Sequence, residues 1–330
     1  MKSAKVSQHS KLEPKGPDVS VLIVGYNSAQ VIQNCLNSIL KACQNYELEV
    51  LFVDQGDGST EVLVKEEFPA VTIVPSRGNL GFAGGNNLLK ASAKGKNLLL
   101  LNPDVELHSN AIDILLDAAE SYPEAAAWGG ITLTRDGTPD IGNTVHVPSI
   151  GEMASRLFGR SRMGLSGHEK FDADERVAAL SGGFVLISKT AWDEIEGLDE
   201  RYFLYCEEVD FFYRLSQRGH SFWRISAARA FHDIGHGEAA SPRRSLNSVT
   251  GKMQFARLHW SKPRQFLAFM LIWLGALERY LIGSLLGKFK PALGELARSN
   301  RLIALYPGHW RNGYAPDSGL LAKLLSRPID

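Results

Sequence analysis

The sequence predicts an α/β protein: a doubly wound, mainly parallel sheet with flanking helices, followed by a helical C-terminal appendage. Three observations point there. Strand and helix signals alternate over the first hundred residues, as in successive βαβ units. The first strand signal, Val19 to Val24 (VSVLIV), is a continuous apolar run, as expected of a strand covered on both faces. From Phe266 to Leu286 the chain is largely apolar at helix length.

After the first strand, Ser28 is placed to cap a helix whose apolar positions Val31, Cys35, Leu36, Ile39 and Leu40 keep helical spacing. Further strands are expected at Leu48 to Val53, Val71 to Val74 and Leu98 to Leu101. A short helix, roughly Asn86 to Ala93, follows the glycine-rich turn Gly78 to Gly85. A helix near Asn110 to Ser121 and a strand near Ala126 to Leu133 come next. Asp140 to Arg176 carries few regular signals and three arginines (Arg156, Arg160, Arg162), and reads as a mobile insertion. Ala178 to Ile187 is strand-like around Gly182-Gly183, Thr190 to Glu196 is a short helix, and Ser221 to Ile225 a short strand. Glu207 to Arg218 is a longer helix that Gly219 closes as a C-cap. The organisation is a flexible tail (1–17), an α/β domain (18–240, halves 18–135 and 136–240) and a helical C-terminal region (241–330).

The 330 residues carry thirty-six basic and thirty-six acidic side chains, a neutrality that argues against a nucleic-acid binder. Three cysteines without CxxC spacing read as reduced thiols of a cytosolic protein, and the polar N-terminus has no signal-peptide core. In the apolar C-terminal stretch, Glu278 and Arg279 interrupt the run, and Lys262, Arg264, Lys288 and Lys290 flank it. That pattern fits a helix lying in a membrane interface better than one spanning it, the alternative being a buried amphipathic helix of the fold.

Ligands of doubly wound sheets bind beyond the carboxyl ends of the strands. The polar motifs sit there. Strand one runs into Gly25-Tyr26-Asn27, and strand two into Asp54-Gln55-Gly56-Asp57-Gly58-Ser59. Asp54 can accept hydrogen bonds from a base or ribose, or merely cap the next helix. The run from Arg77 to Asn87, with Asn79 and Gly84 within it, places glycines before a helix N-terminus, where a diphosphate can approach closely. The fourth strand stops at Asn102-Pro103-Asp104, since proline cannot extend a ladder, and presents Asp104 at the sheet edge. A hard cation such as Mg²⁺ or Mn²⁺ takes such a carboxylate with substrate phosphates and water. In Phe203-Leu204-Tyr205-Cys206-Glu207-Glu208-Val209-Asp210, three carboxylates lie near one helix start, and apolar neighbours would raise a buried carboxyl's pKa towards base duty. His232 or His236 can ligate a metal or hold a phosphate.

In this order the motifs resemble glycosyltransferase family 2, with its GT-A fold, over roughly Val19 to His236. NLGFAGGNN followed by LLLLNPDV is similar to the bacterial rhamnosyltransferase subgroup of cell-envelope polysaccharide assembly. The resemblance implies that Tyr26 and Asn27 contact the nucleotide and Asp54 its base. It makes Asn102 and Asp104 a DxD-like motif with Asp104 as metal ligand, and places Gly182 and Gly183 on the acceptor side. His232 completes the metal site. The family's Glu-Asp pair is Glu207-Glu208 here, so Glu208 stands as catalytic base with Glu207 beside it. Two departures are DQGDGST in the second loop and Asn102 in place of the first aspartate. The implied function is an inverting, metal-dependent transfer of a sugar, rhamnose among the options, from a nucleotide-diphosphate donor to a saccharide or lipid-linked saccharide. Its expected location is the inner face of the cell membrane, bound peripherally. The alternatives are a catalytically inactive nucleotide-sugar-binding protein and a sugar-1-phosphate nucleotidylyltransferase. The latter should carry a basic glycine-rich loop where GYNSAQ stands.

Overall fold

Side chains of the first strand, β1 (Val19–Gly25), alternate between two cores. Val19, Val21 and Ile23 join the cluster under one set of helices, and Leu22 joins the cluster on the opposite face. A strand buried on both sides must be apolar throughout, which is why VSVLIV reads as a continuous run. The computed structural model that shows this describes residues 16–143, 145–157, 171–232, 241–317 and 319. Most of the predicted tail, together with Arg160, Arg162 and His236, lies outside the described residues.

β1 is followed by α1 (Ile32–Ala42), β2 (Leu48–Asp54), α2 (Ser59–Glu67), β3 (Thr72–Ile73), α3 (Gly81–Lys90) and β4 (Asn97–Leu101). β3, β2, β1 and β4 lie side by side in that order and all parallel, so the chain reverses its winding between β1 and β4. That switch point opens a crevice at the strands' carboxyl ends. The sheet continues through β8 (Phe184–Ser188), β6 (Ala125–Leu133), β9 (Ser221–His232) and β5 (Val105–Leu107), with β7 (Glu175–Val177) also paired to β9. This second half is mixed: β8 runs antiparallel to β4 and β6, while β6 and β9 are parallel. The helices α4 (Ala111–Ser121), α5 (Ile150–Leu157), α6 (Lys189–Glu194) and α7 (Glu207–Ser216) complete the flanking layers.

Several elements differ from the sequence reading, each for a tertiary reason. Ser28 does not cap α1 with its side chain, because its hydroxyl accepts from the Tyr26 N–H at 3.0 Å. Leu40 faces solvent. The third strand shortens to two residues at the sheet edge. Within Ala178 to Ile187 only the part from Phe184 is strand, since β8 starts where β4 ends, at the pair Leu101↔Phe184. β9 is twelve residues rather than five, its second half continuing along β6 and β5 after a register shift near Gly129. Part of the supposed insertion is the regular helix α5.

The C-terminal region folds as α8 (Pro242–His259), α9 (Lys262–Leu286) and α10 (Pro291–Leu305). Each has a proline in its first turn, where the missing N–H costs nothing. α9 and α10 approach so closely that a Cβ on Gly283 would lie 2.3 Å from the Leu293 carbonyl oxygen. Their core is shared with α7: Tyr202, Cys206 and Val209 join Met253, Phe255, Ile303, Trp310 and Tyr314 in one buried cluster.

Candidate active site

The glycine run Gly81 to Gly85 is not a loop but the first turns of α3. Glycine costs about 1 kcal/mol relative to alanine in a helix, so close packing has to justify it. At Gly81 (φ +74°) a Cβ would lie 2.1 Å from the Phe203 carbonyl oxygen, and at Gly85 it would meet Gln55 and Val24 at 2.6–2.9 Å. At Gly84 it would sit 2.7 Å from the Leu80 Cβ. The glycines thus let α3 press onto β1, β2 and the segment preceding α7. The diphosphate-cradling expectation is modified accordingly, because early amide donors are already used. Leu80 N–H donates to Gln55 Oε1 (2.5 Å), Gly81 N–H to Asn79 Oδ1 (3.0 Å) and Phe82 N–H to the Phe203 carbonyl (3.2 Å). Gln55, buried and bridging β2 to α3, was not singled out by sequence reasoning. Gly81→Ala is expected to lower stability by at least about 1–2 kcal/mol, the cost of a Cβ in left-handed backbone, and more for the clash. A denaturation midpoint equal to wild type would contradict this packing.

At the end of β2, Asp54 Oδ1 accepts from the Gly56 N–H (2.8 Å) and Oδ2 from the Glu61 N–H (3.1 Å). The buried carboxylate closes its own loop and supports the first turn of α2. Asn27, in left-handed backbone at φ +50°, packs over Gly56, and Tyr26 stands 57% exposed beside it.

Strand register then assembles the centre of the crevice. The Asn102 N–H donates to the Gly183 carbonyl at 2.9 Å, and a Cβ on Gly183 would be 3.1 Å from the Asn102 side-chain nitrogen. A Cβ on Gly182 would be 3.1 Å from the Phe82 ring and 3.7 Å from the Glu208 Cβ. The two glycines therefore form a floor against which α3, the end of β4 and the start of α7 converge.

On one side, β5 pairs with β9 through Val105↔His232, which sets Asp104 beside His232. Asp104 Oδ1 is buried without a hydrogen-bond partner and lies 3.5 Å from His232 Nε2. His232 Nδ1 meets Asp140 Oδ2 at 2.8 Å, and Asp140 also accepts from the Gly142 N–H. Burial alone would lower the His232 pKa, but the two carboxylates outweigh it and lift it to about 9. Asp140 was not expected from sequence, where it reads only as one residue of an irregular stretch. Among the described residues no three His, Cys, Asp or Glu side chains converge as a ready-made metal cage. The pair Asp104 and His232 nevertheless fits a divalent ion whose other ligands are phosphate and water: the buried carboxylate oxygen makes no hydrogen bond, and its 3.5 Å separation from His232 Nε2 is a span two ligands at about 2.0–2.2 Å can share. Asp140 then orients the imidazole through its other nitrogen, as supporting carboxylates do.

On the other side, Tyr205 and Cys206 (φ +69° and +70°) turn the chain sharply into α7. Glu207 points inward, buried, with Oε2 unpartnered, whereas Glu208 is half-buried and faces Gly182. Burial raises the pKa of both, further for Glu207, which also feels the Glu208 charge. Asp210 plays a structural part. It accepts from Arg214 Nε (2.6 Å) and the Tyr202 hydroxyl (3.2 Å) and contacts His259 Nε2 (2.6 Å), tying α7 to α8.

The sequence model described as Glycosyl transferase family 2 matches residues 20–195, more than half of the chain. The chain belongs to that family. This glycosyltransferase is 29% identical over 252 residues to N-acetylglucosaminyl-diphospho-decaprenol L-rhamnosyltransferase of Mycobacterium tuberculosis, a match covering 68% of this chain and 79% of that one. It is 24% identical over 228 residues to rhamnosyltransferase WbbL of Escherichia coli K12, covering 66% and 84%. In fold it is similar to the mannosyltransferase PcManGT from Pyrobaculum calidifontis, solved with GDP-Man and Mn²⁺, at a TM-score of 0.56 and 16% identity over 89% of this chain and 88% of that one. The GT-A architecture and the glycosyltransferase activity expected from the motifs both stand.

Proposed function

We propose that this glycosyltransferase is an inverting, metal-dependent enzyme that moves a sugar, rhamnose being the first candidate, from a nucleoside-diphosphate donor to a hydroxyl of a lipid-linked saccharide. The observation that carries the proposal is the Gly182-Gly183 floor with the Asn102–Asp104/His232 side on one flank and Glu208 on the other. Rhamnose is suggested by the names of the Mycobacterium and Escherichia relatives, and the lipid-linked acceptor by the N-acetylglucosaminyl-diphospho-decaprenol in the former. Tyr26, Asn27 and the loop that Asp54 closes receive the nucleoside; Asn79 and Gly84 shape the adjoining start of α3. Asp104 and His232 would hold the divalent ion, Mg²⁺ or Mn²⁺, which would supply positive charge against the departing diphosphate. Glu208 takes the proton from the acceptor hydroxyl. The freed oxygen attacks the anomeric carbon from the face opposite the breaking bond to the diphosphate, so the configuration inverts.

The domain assignment follows the same logic: a catalytic domain over 18–240 with nucleotide and acceptor halves, and the region 241–330 serving the acceptor and the membrane. α9 is the one described helix long and apolar enough to cross a membrane, and only 22% of its most apolar window is buried. Phe266, Leu267, Leu281, Ile282, Leu285 and Leu286 are exposed, with Lys262, Arg264, Lys288 and Lys290 at its ends. A peripheral helix at the inner face of the cell membrane has this composition. Full-length protein is expected to float with anionic liposomes and to be released by high salt; protein that stays at the bottom of the gradient would rule the membrane contact out.

The donor is tested by a panel of nucleotide sugars read by thermal stabilisation with and without Mn²⁺. A true donor at 100 times its Kd stabilises the fold by about 2.7 kcal/mol. If no nucleotide sugar shifts the melting temperature in either condition, the proposal fails.

A further inference from the structure

A cavity of about 540 Å³, within the roughly 300–1,000 Å³ usual for ligand sites, lies between α5, α8, α9 and α10. Its walls are apolar, with Leu157, Leu271, Ile272, Ala276 and Ile303 among them. Four cations share the same lining: Arg156, Arg244, Lys252 and Arg279. Among the described residues the only carboxylate within ion-pair distance of any of them is Glu152, 3.0 Å from both Arg156 and Lys252. Arg279 donates instead to the carbonyls of Gly275 and Arg156, and Arg244 lies near the Tyr205 side chain. An apolar cavity whose described lining holds four cations and no carboxylate is matched to a ligand with a multiply charged head and a hydrocarbon body.

Two neighbours specify the occupant further. Lys252 and Arg244 sit on α8, whose Gly251 packs so tightly that a Cβ there would lie 2.3 Å from the Tyr205 carbonyl oxygen. Tyr205 and Cys206 lead directly into Glu207-Glu208, so the cavity backs onto the loop that aims the base. The other wall is α9, which turns Leu271, Ile272, Ala276 and Arg279 inward and the apolar row from Phe266 to Leu286 outward. We propose that this cavity holds the diphosphate and the first isoprenoid units of a polyprenyl-diphosphate-linked acceptor, presenting its sugar hydroxyl to Glu208. This rests on the lipid-linked acceptor proposed above. A diphosphate diester brings two negative charges, whereas a bilayer phosphodiester such as phosphatidylglycerol brings one.

The test uses the full-length chain and farnesyl diphosphate as probe, with farnesol, inorganic diphosphate and phosphatidylglycerol vesicles as comparisons. Calorimetry should show farnesyl diphosphate binding more tightly than any of the three. Lys252→Gln should weaken it by about tenfold or more, as expected when a mostly buried charge that meets the ligand is removed, and Arg244→Gln, at the exposed rim, should weaken it by less. Donor-dependent thermal stabilisation of each variant shows whether it is folded. Equal affinity in the folded variants would overturn the proposal, and so would an affinity matched by farnesol, diphosphate or the vesicles. Wild-type protein that hydrolyses a nucleotide sugar yet does not bind farnesyl diphosphate would sink this inference and leave the proposed function standing. Absence of hydrolysis with every donor would instead sink the function.

Discussion

Glu208→Gln is expected to lose about 10²–10⁴-fold in turnover, the usual worth of a general base, while still being stabilised by donor. Of the two glutamates that open α7, Glu208 is the one that faces Gly182, whereas Glu207 is buried and close enough to Tyr314 for its charge to raise that hydroxyl's pKa. Burial raises both pKa values. A base works deprotonated. The acid limb of kcat/KM should therefore lie above the ordinary glutamate value of about 4.3, with activity lost as the pH falls through it, and Glu208→Gln should remove that limb. If Glu207→Gln is the inactive variant and Glu208→Gln retains turnover, the assignment within the pair is reversed.

Asp104→Ala is expected to abolish metal-dependent turnover, a loss of about 10³-fold or more if the cation contributes several kcal/mol. The fold should survive, because the local backbone is held without this side chain. Asn102 N–H donates to the Gly183 carbonyl, Val105 N–H to the Asn102 carbonyl, and β5 stays paired with β9. Removing the carboxylate also takes one of two negative neighbours from His232, so its pKa should fall from about 9. Full activity of the variant in chelator-treated buffer would contradict a metal role at this position.

The strand ends were legible because each is marked locally. Proline after Asn102 stops β4, and the apolar runs of β1 and β4 declare strands buried on both faces. What sequence could not supply was register between distant segments. The three-residue β5 is too short for periodicity to reveal, yet its pairing with β9 puts Asp104 against His232 and brings Asp140, 92 residues from His232, to the other ring nitrogen. The glycine run was misjudged for the opposite reason. Intrinsic propensity places Gly81 to Gly85 in a loop, but close approach to Phe203, Val24 and Gln55 overrides it. For Asp54, sequence left base contact and helix capping open, and only the bonds to Gly56 and Glu61 show how the carboxylate is used. The shared core of α7 with Trp310 and Tyr314 was equally invisible, since these residues are separated by about a hundred positions.

A metal-dependent, inverting sugar transfer at Asp104, His232 and Glu208 leaves its signature in the product. Full-length protein incubated with the stabilising nucleotide sugar and a polyprenyl-diphosphate-linked saccharide can be followed by the anomeric proton of the new glycoside in NMR spectra. The expected product has the anomeric configuration opposite to the donor's, and its formation stops with chelator and resumes when Mn²⁺ or Mg²⁺ is restored. A product with the donor's configuration, or one formed at the same rate in chelator, would contradict it.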